Sequence, residues 1–202
     1  MQRDTHMDAM TLATYDREAL TFAEDWLAQP APTDLYALLE RYFVKGKTAD
    51  IGCGAGRDTA WLASRGFDVI GFDGSEGLLK EASRRYPALV FKTSLLPELA
   101  GVERQIFQNV LCETVIMHLP DAEIREAVIQ LLSLLVPGGA LALSWRISEE
   151  KAQRDDYGRL YSMFSTSNVL DELQEHELLV DSESINLSSQ KKVRRIVVKK
   201  RR

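Results

Sequence analysis

The segment Asp50-Ile51-Gly52-Cys53-Gly54-Ala55-Gly56-Arg57 sets three glycines at alternate positions between an apolar run and a helical pattern. Lacking a Cβ, glycines take turn conformations closed to other residues and let backbone lie close against a ligand. The start of the next helix adds unpaired N–H groups and a field that favours an anion. A dinucleotide site reads G-x-G-x-x-G. Here Arg57 stands where the third glycine of that pattern should fall, and the chain's own third glycine comes one residue early. About 20 residues beyond the loop, Phe72-Asp73-Gly74-Ser75 ends a second apolar run with an acid placed to accept both hydroxyls of a ribose. Taken alone, the glycines also suit a tight strand-to-helix turn with no ligand; together with Asp73 they describe a site for an adenosine-type molecule.

The elements that must position these residues alternate. Leu12, Tyr15, Ala19, Phe22 and Trp26 recur at helical spacing and predict one amphipathic helix, broken by Pro30 and Pro32. Thr33 is placed to cap a second helix running through Phe43. Strands and helices then take turns. Thr48–Ile51, Asp68–Phe72, Leu89–Phe91, Ile106–Cys112 and Ala140–Trp145 read as strands, and Arg57–Arg65, Ser75–Tyr86 and Asp121–Leu135 as helices. Such alternation implies a parallel sheet built by crossovers. A helix over Ser167–His176 and strands over Leu178–Leu187 and Val193–Lys199 close the chain as a hairpin, so the sheet should end antiparallel.

At this point the chain resembles the class I S-adenosylmethionine-dependent methyltransferases, from about Thr48 to Trp145. Their acid-x-Gly-x-Gly-x-Gly loop matches Asp50, Gly52, Gly54 and Gly56; their ribose acid matches Asp73. Their Leu/Val-Pro-Gly-Gly turn matches Val136–Gly139, and Val110–Pro120 looks like the fourth strand and active-site loop of small-molecule members. The resemblance implies an α/β, doubly wound, mostly parallel seven-stranded sheet of order 3-2-1-4-5-7-6, with strand 7 antiparallel and helices on both faces. It also implies S-adenosylmethionine as cofactor and a small-molecule acceptor. Two departures stand out. Lys92-Thr93-Ser94-Leu95 replaces the acid that many relatives place beside the adenine, which leaves Ser94 or backbone for that contact and Leu95 against the ring. Gln108-Asn109 stands where an acid often begins the fourth strand.

By that resemblance Gly52, Cys53, Gly54, Gly56 and Gly74 lie close to the cofactor and Asp73 holds the ribose. The Cys112 carbonyl faces the amine, and Asp50 orders the loop. Arg57 either meets the methionine carboxylate or forms a salt bridge. Methyl transfer is an in-line displacement that needs alignment more than covalent help. Where a hydroxyl is methylated a base is useful, and Glu113 and His118 are the candidates. The alternatives are that Glu113 faces solvent and that His118 bonds backbone at a helix start. Tyr15 and Phe22 are expected to form a lid over the cofactor. Trp145, Arg146, Tyr157, Arg159 and Tyr161 should border the acceptor, where rings and arginines suit a planar or anionic molecule.

Length and composition fit one domain over 1–202: a helical lid (1–45), a cofactor core (46–146) and a substrate helix with hairpin (147–202). No apolar run approaches a membrane span, the amino end is polar, and Cys53 and Cys112 lack metal-ligand spacing, so a reducing cytoplasm is expected. Net charge is −5, yet Lys191–Arg202 carries eight of the 25 basic side chains and no acid, so the rest stands at 17 basic against 30 acidic. An acidic body argues against nucleic acid as partner. The basic tail reads as an edge strand guarded by charge. A non-catalytic cofactor-binding protein and an RNA methyltransferase are the competing readings.

Overall fold

The structure, a computed structural model, describes residues 7–147 and 152–201. Two helices open it where one was expected: α1 (Ala9–Arg17), capped by the Asp8 side chain, and α2 (Ala19–Ala28). The break at Glu18 lets each helix serve a different neighbour. Asp16 of α1 accepts hydrogen bonds from the Ser75 hydroxyl (2.7 Å) and the Gly77 amide (3.0 Å), while Phe22 and Ala23 of α2 cluster with Leu78. Helix α3 (Thr33–Tyr42) starts without a side-chain cap, so Thr33 is its first residue and Pro32 holds the cap position.

The alternating core follows: β1 (Lys47–Ile51), α4 (Arg57–Ser64), β2 (Asp68–Asp73), α5 (Glu76–Arg85), β3 (Val90–Thr93), β4 (Phe107–Cys112), α6 (Ile124–Leu134) and β5 (Leu135–Arg146). A short ribbon comes next, β6 (Gln153–Arg154) with β7 (Leu160–Tyr161), then α7 (Ser167–Leu173), β8 (Glu177–Ile185) and β9 (Lys192–Lys199). The main sheet has the order β3-β2-β1-β4-β5-β9-β8. Its first five strands are parallel, and β9 runs antiparallel to both β5 and β8. With the ribbon set aside, this is the expected 3-2-1-4-5-7-6.

Val193–Val198 is therefore not an edge. It lies between two strands, with Val193, Ile196, Val197 and Val198 buried, and β8 forms the rim. Part of its positive charge is paired or buried: Arg194 pairs with Asp181, Lys192 with Glu183, Arg195 with Asp34 and Glu113, and the Lys200 ammonium donates to the Leu132 and Leu135 carbonyls. Arg202 falls outside the described residues. One face of the sheet carries α6 and α7 over Val110, Leu141, Leu143 and Ile196; the other carries α3 and α4 over Leu111, Ala142 and Val197. The Pro137-Gly138-Gly139 stretch is absorbed into β5 as a register shift against β4.

Gln108 and Asn109 have structural work at the start of β4. The Gln108 side-chain oxygen accepts from the Lys47 amide (2.8 Å), and Asn109 bonds both the Val44 amide (3.1 Å) and its carbonyl (2.8 Å). An amide that donates and accepts can close both ends of this bridge; a carboxylate can only accept.

Candidate functional site

The two halves of the sheet diverge at β1 and β4, and beyond the carboxyl ends of such strands ligands bind in folds of this kind. A cleft of about 1320 Å³ of free space, its open mouth included, lies there. The glycine loop forms its floor. The Gly52 and Cys53 amides both donate to the Phe72 carbonyl (2.7 and 3.0 Å), which ties the loop to β2. Gly52 has φ +73°, and a Cβ there would come within 2.3 Å of Val115. Asp50, buried at the end of β1, accepts from the Thr59 hydroxyl in the first turn of α4 (2.6 Å), so one side chain fixes both ends of the loop. Burial, and then the negative charge of Asp58, push the Asp50 carboxyl up to about 7.

Asp73 ends β2 beside this loop. One of its oxygens accepts from the Gly54 amide (2.8 Å) and the other from the Ser75 amide (2.8 Å). Burial raises its pKa despite these bonds. Among the described residues no basic side chain pairs with it, so a carboxylate with spare lone pairs faces the cleft. That is the donor-seeking group that two adjacent hydroxyls satisfy, and it fits the ribose of an adenosyl cofactor.

Of the other residues expected at the cofactor, Cys53, Gly74, Ser94, Leu95 and Tyr15 line the cleft. Gly56 and Cys112 do not. A Cβ on Gly56 would lie 2.8 Å from the Phe91 ring, so that glycine serves packing, and the buried Cys112 side chain belongs to the core. Arg57 lines the cleft but is held in a fork by Asp58 (2.9 and 3.1 Å) and donates to the Ser188 hydroxyl (3.2 Å); the ion pair is the arrangement present.

Both candidate bases line the cleft, and both are engaged. Glu113 accepts from the Ser144 hydroxyl (2.6 Å), the Asn186 amide (3.2 Å) and the buried Arg195 guanidinium (2.9 Å). Buried His118 has its Nδ1 2.5 Å from the Leu160 carbonyl, which can only accept. Nδ1 therefore carries the proton and Nε2 accepts from the Tyr15 hydroxyl (3.0 Å). Tyr15 oxygen in turn accepts from Arg159 (3.3 Å). Burial lowers His118 to about 4, so the imidazole is neutral near pH 7. The backbone partner comes from β7, not from the start of the following helix.

Among the expected acceptor residues, Arg146, Arg159 and Tyr161 line the cleft. Trp145 points into the core against Phe164 (5.6 Å between rings). Tyr157 is 47% exposed and sets its ring edge on Phe22, which lies behind the lining. Several lining residues were missed from sequence. Trp26 covers the loop, its ring 2.8 Å from where a Gly54 Cβ would stand, and Asn186, Ser188 and Ser189 reach in from the β8–β9 turn. The Asn-Leu-Ser-Ser stretch reads only as a turn, because nothing local says that it folds back over β4.

Residues 49–139 match the family model of the methyltransferase domain. Over this stretch the chain is similar to a methyltransferase domain. Trans-aconitate 2-methyltransferase of Methylobacterium radiotolerans is 35% identical over 96 residues, 46% of this chain and 35% of that protein. Ubiquinone biosynthesis O-methyltransferase of Psychrobacter cryohalolentis is 35% identical over 105 residues, 48% of this chain and 40% of that protein. The chain thus matches well under half the length of these relatives. The 1,6-didemethyltoxoflavin-N1-methyltransferase of Burkholderia thailandensis, solved with its substrate and S-adenosylhomocysteine, superposes with a TM-score of 0.74 at 19% identity, over 96% of this chain and 88% of that one. That likeness shows the fold over nearly the whole chain. Among the described residues no helix is long and apolar enough to cross a membrane.

Proposed function

We propose that the methyltransferase domain binds S-adenosylmethionine in this cleft and transfers its methyl group to a small-molecule acceptor. The observation that carries the reading is Asp73: a half-buried carboxylate that no cation pairs with among the described residues, at the tip of β2 and bonded to the Gly54 amide of the loop. When bound, the cofactor supplies a methyl group on a positively charged sulfur. Asp73 would accept from the ribose hydroxyls, the loop backbone would lie along the cofactor, and Ser94 and Leu95 would meet the base at the end of β3. Leu12, Tyr15 and Trp26 cover the cleft and exclude water. Alignment of this kind contributes about 7–11 kcal/mol to a displacement reaction.

With His118 neutral and bonded at both nitrogens and Glu113 held by three donors, neither group is free to remove a proton. This favours an acceptor atom that is nucleophilic as bound, such as a carboxylate oxygen, a thiolate or a free amine. Two buried free thiols, Cys53 and Cys112, suit a cytoplasmic protein. Calorimetric titration with S-adenosylhomocysteine tests the reading. Binding is expected, and Asp73→Ala should weaken it about tenfold or more, the loss of hydrogen bonds to a charged group; unchanged affinity removes Asp73 from the site.

A further inference from the structure

The charges lining the cleft mostly cancel in place. Arg57 pairs with Asp58, Glu113 with Arg195, and Arg159 with Asp155. Among the described residues, two lining charges remain without an ion of opposite sign: Asp73 and Arg146. They stand at the tips of β2 and β5, with β1 and β4 between them. Three strand spacings separate them by about 14 Å across the sheet. The cleft is therefore polarised, negative at one end and positive at the other.

Arg146 is held in place for an anion. Its guanidinium lies 5.3 Å from the centre of the Tyr161 ring and donates to the Tyr161 hydroxyl (3.3 Å). A guanidinium has five N–H donors in a planar fork that matches the two oxygens of a carboxylate. Of the groups near it, His118 is neutral, Tyr15 is protonated, its pKa raised by burial, and Arg159 is paired with Asp155. One fixed cation balances one negative charge. A phosphate monoester dianion would need a second, and Arg159, the nearest candidate, is taken by Asp155.

We propose that Arg146 anchors a carboxylate of the acceptor and that the acceptor is a small organic acid. The inference rests on the reading above, in which the Asp73 end holds the cofactor. A carboxylic acid also agrees with a site that has no free base, since it is ionised before it binds.

The test titrates the full chain, saturated with S-adenosylhomocysteine, with aliphatic and aromatic carboxylic acids of graded length. Each acid is run beside its own primary amide and a matched phosphate monoester. Acids should bind and amides should not. Arg146→Gln should weaken the acids by about 10- to 100-fold, erase the preference for acid over amide, and leave S-adenosylhomocysteine affinity within about twofold. Arg146→Lys keeps the charge without the fork and should recover part of the loss. Tyr161→Phe, which removes one support of the guanidinium, should cost the acids a few-fold and stands in where Arg146→Gln does not fold. Equal binding of acids and amides, binding of phosphate monoesters alone, no acid binding while S-adenosylhomocysteine binds, or undiminished acid affinity in Arg146→Gln would each overturn the proposal. Failure of S-adenosylhomocysteine itself to bind would overturn the cofactor reading instead.

Discussion

Asp50 is a buried acid that helps hold the loop and charges only at a cost, and this gives a measurable pH dependence. In the unfolded chain its carboxyl titrates near 3.8; in the folded protein burial, with Asp58 nearby, raises it to about 7. Between those values the folded state holds a proton that the unfolded state has released. The neutral form's contribution is fully present below pH 3.8 and is lost as pH rises through 7. At 1.36 kcal/mol per pH unit, that gap is worth at most about 4 kcal/mol. Asp50→Asn removes the ionisation and keeps an oxygen to accept from Thr59.

Urea denaturation of both proteins at intervals from pH 4 to pH 8 isolates the effect. The wild-type curve alone would not, because His118 titrates in the opposite sense over an overlapping window. Its pKa falls from 6.5 to about 4, so its neutral form loses stability as pH falls through that range. Subtraction cancels His118, which both proteins carry. Relative to Asp50→Asn, the wild type should lose about 3–4 kcal/mol between the two ends, or about 10 °C in melting temperature. Parallel curves would refute the account of Asp50 as a carboxyl that charges only against its surroundings.

Glu113→Gln should destabilise the protein by about 3 kcal/mol, because it leaves the buried Arg195 with Asp34 as its one acid partner; a thermal shift below about 2 °C would show that Glu113 is not holding that charge. In a proton NMR titration the His118 ring should keep its neutral shifts from pH 8 down to pH 5 and move only near pH 4. Movement near pH 6.5 would mean the ring is not sealed between Tyr15 and Leu160.

The proposed cofactor end is legible because its parts are local. The loop, the strand before it and Asp73 fall within residues 47–75, and each has a reason visible in its own neighbourhood: glycine where φ is positive, an acid at a strand end, alternation of strand and helix. The misreadings arose where a residue's partner lies far along the chain. The basic flanks of Val193–Val198 suggest an edge, although three apolar residues in succession, Ile196-Val197-Val198, are what a strand covered on both faces shows. An aromatic ring at the end of the fifth strand suggests an acceptor contact for Trp145, yet period two places it with Leu141 and Leu143 on the α6 face and turns Arg146 the other way with Ser144. The break at Glu18 left no trace, since the apolar spacing continues through it and the Glu18 amide still bonds the Thr14 carbonyl.

The proposed acceptor end is assembled differently, and this bears on which molecules the cleft can take. Tyr15 comes from α1, His118 from the segment after β4, Arg146 from β5, and Arg159 and Tyr161 from the ribbon region. They are joined by side-chain bonds between residues 103 and 144 positions apart. Arg159 supports Tyr15, Tyr15 occupies His118, and His118 is fixed by the Leu160 carbonyl, so a change at one member alters the protonation or position of the next. Members of such a network couple by 0.5–3 kcal/mol in double-mutant cycles, whereas sites more than about 7–10 Å apart with no shared partner add independently. Asp73 shares no hydrogen-bond partner with this network and stands three strands from Arg146, although its charge is felt at the Tyr15 hydroxyl. Substitutions at Arg159 or His118 can therefore reshape the proposed acceptor end, and they reach Asp73 only through Tyr15, which lines the cleft beside both ends.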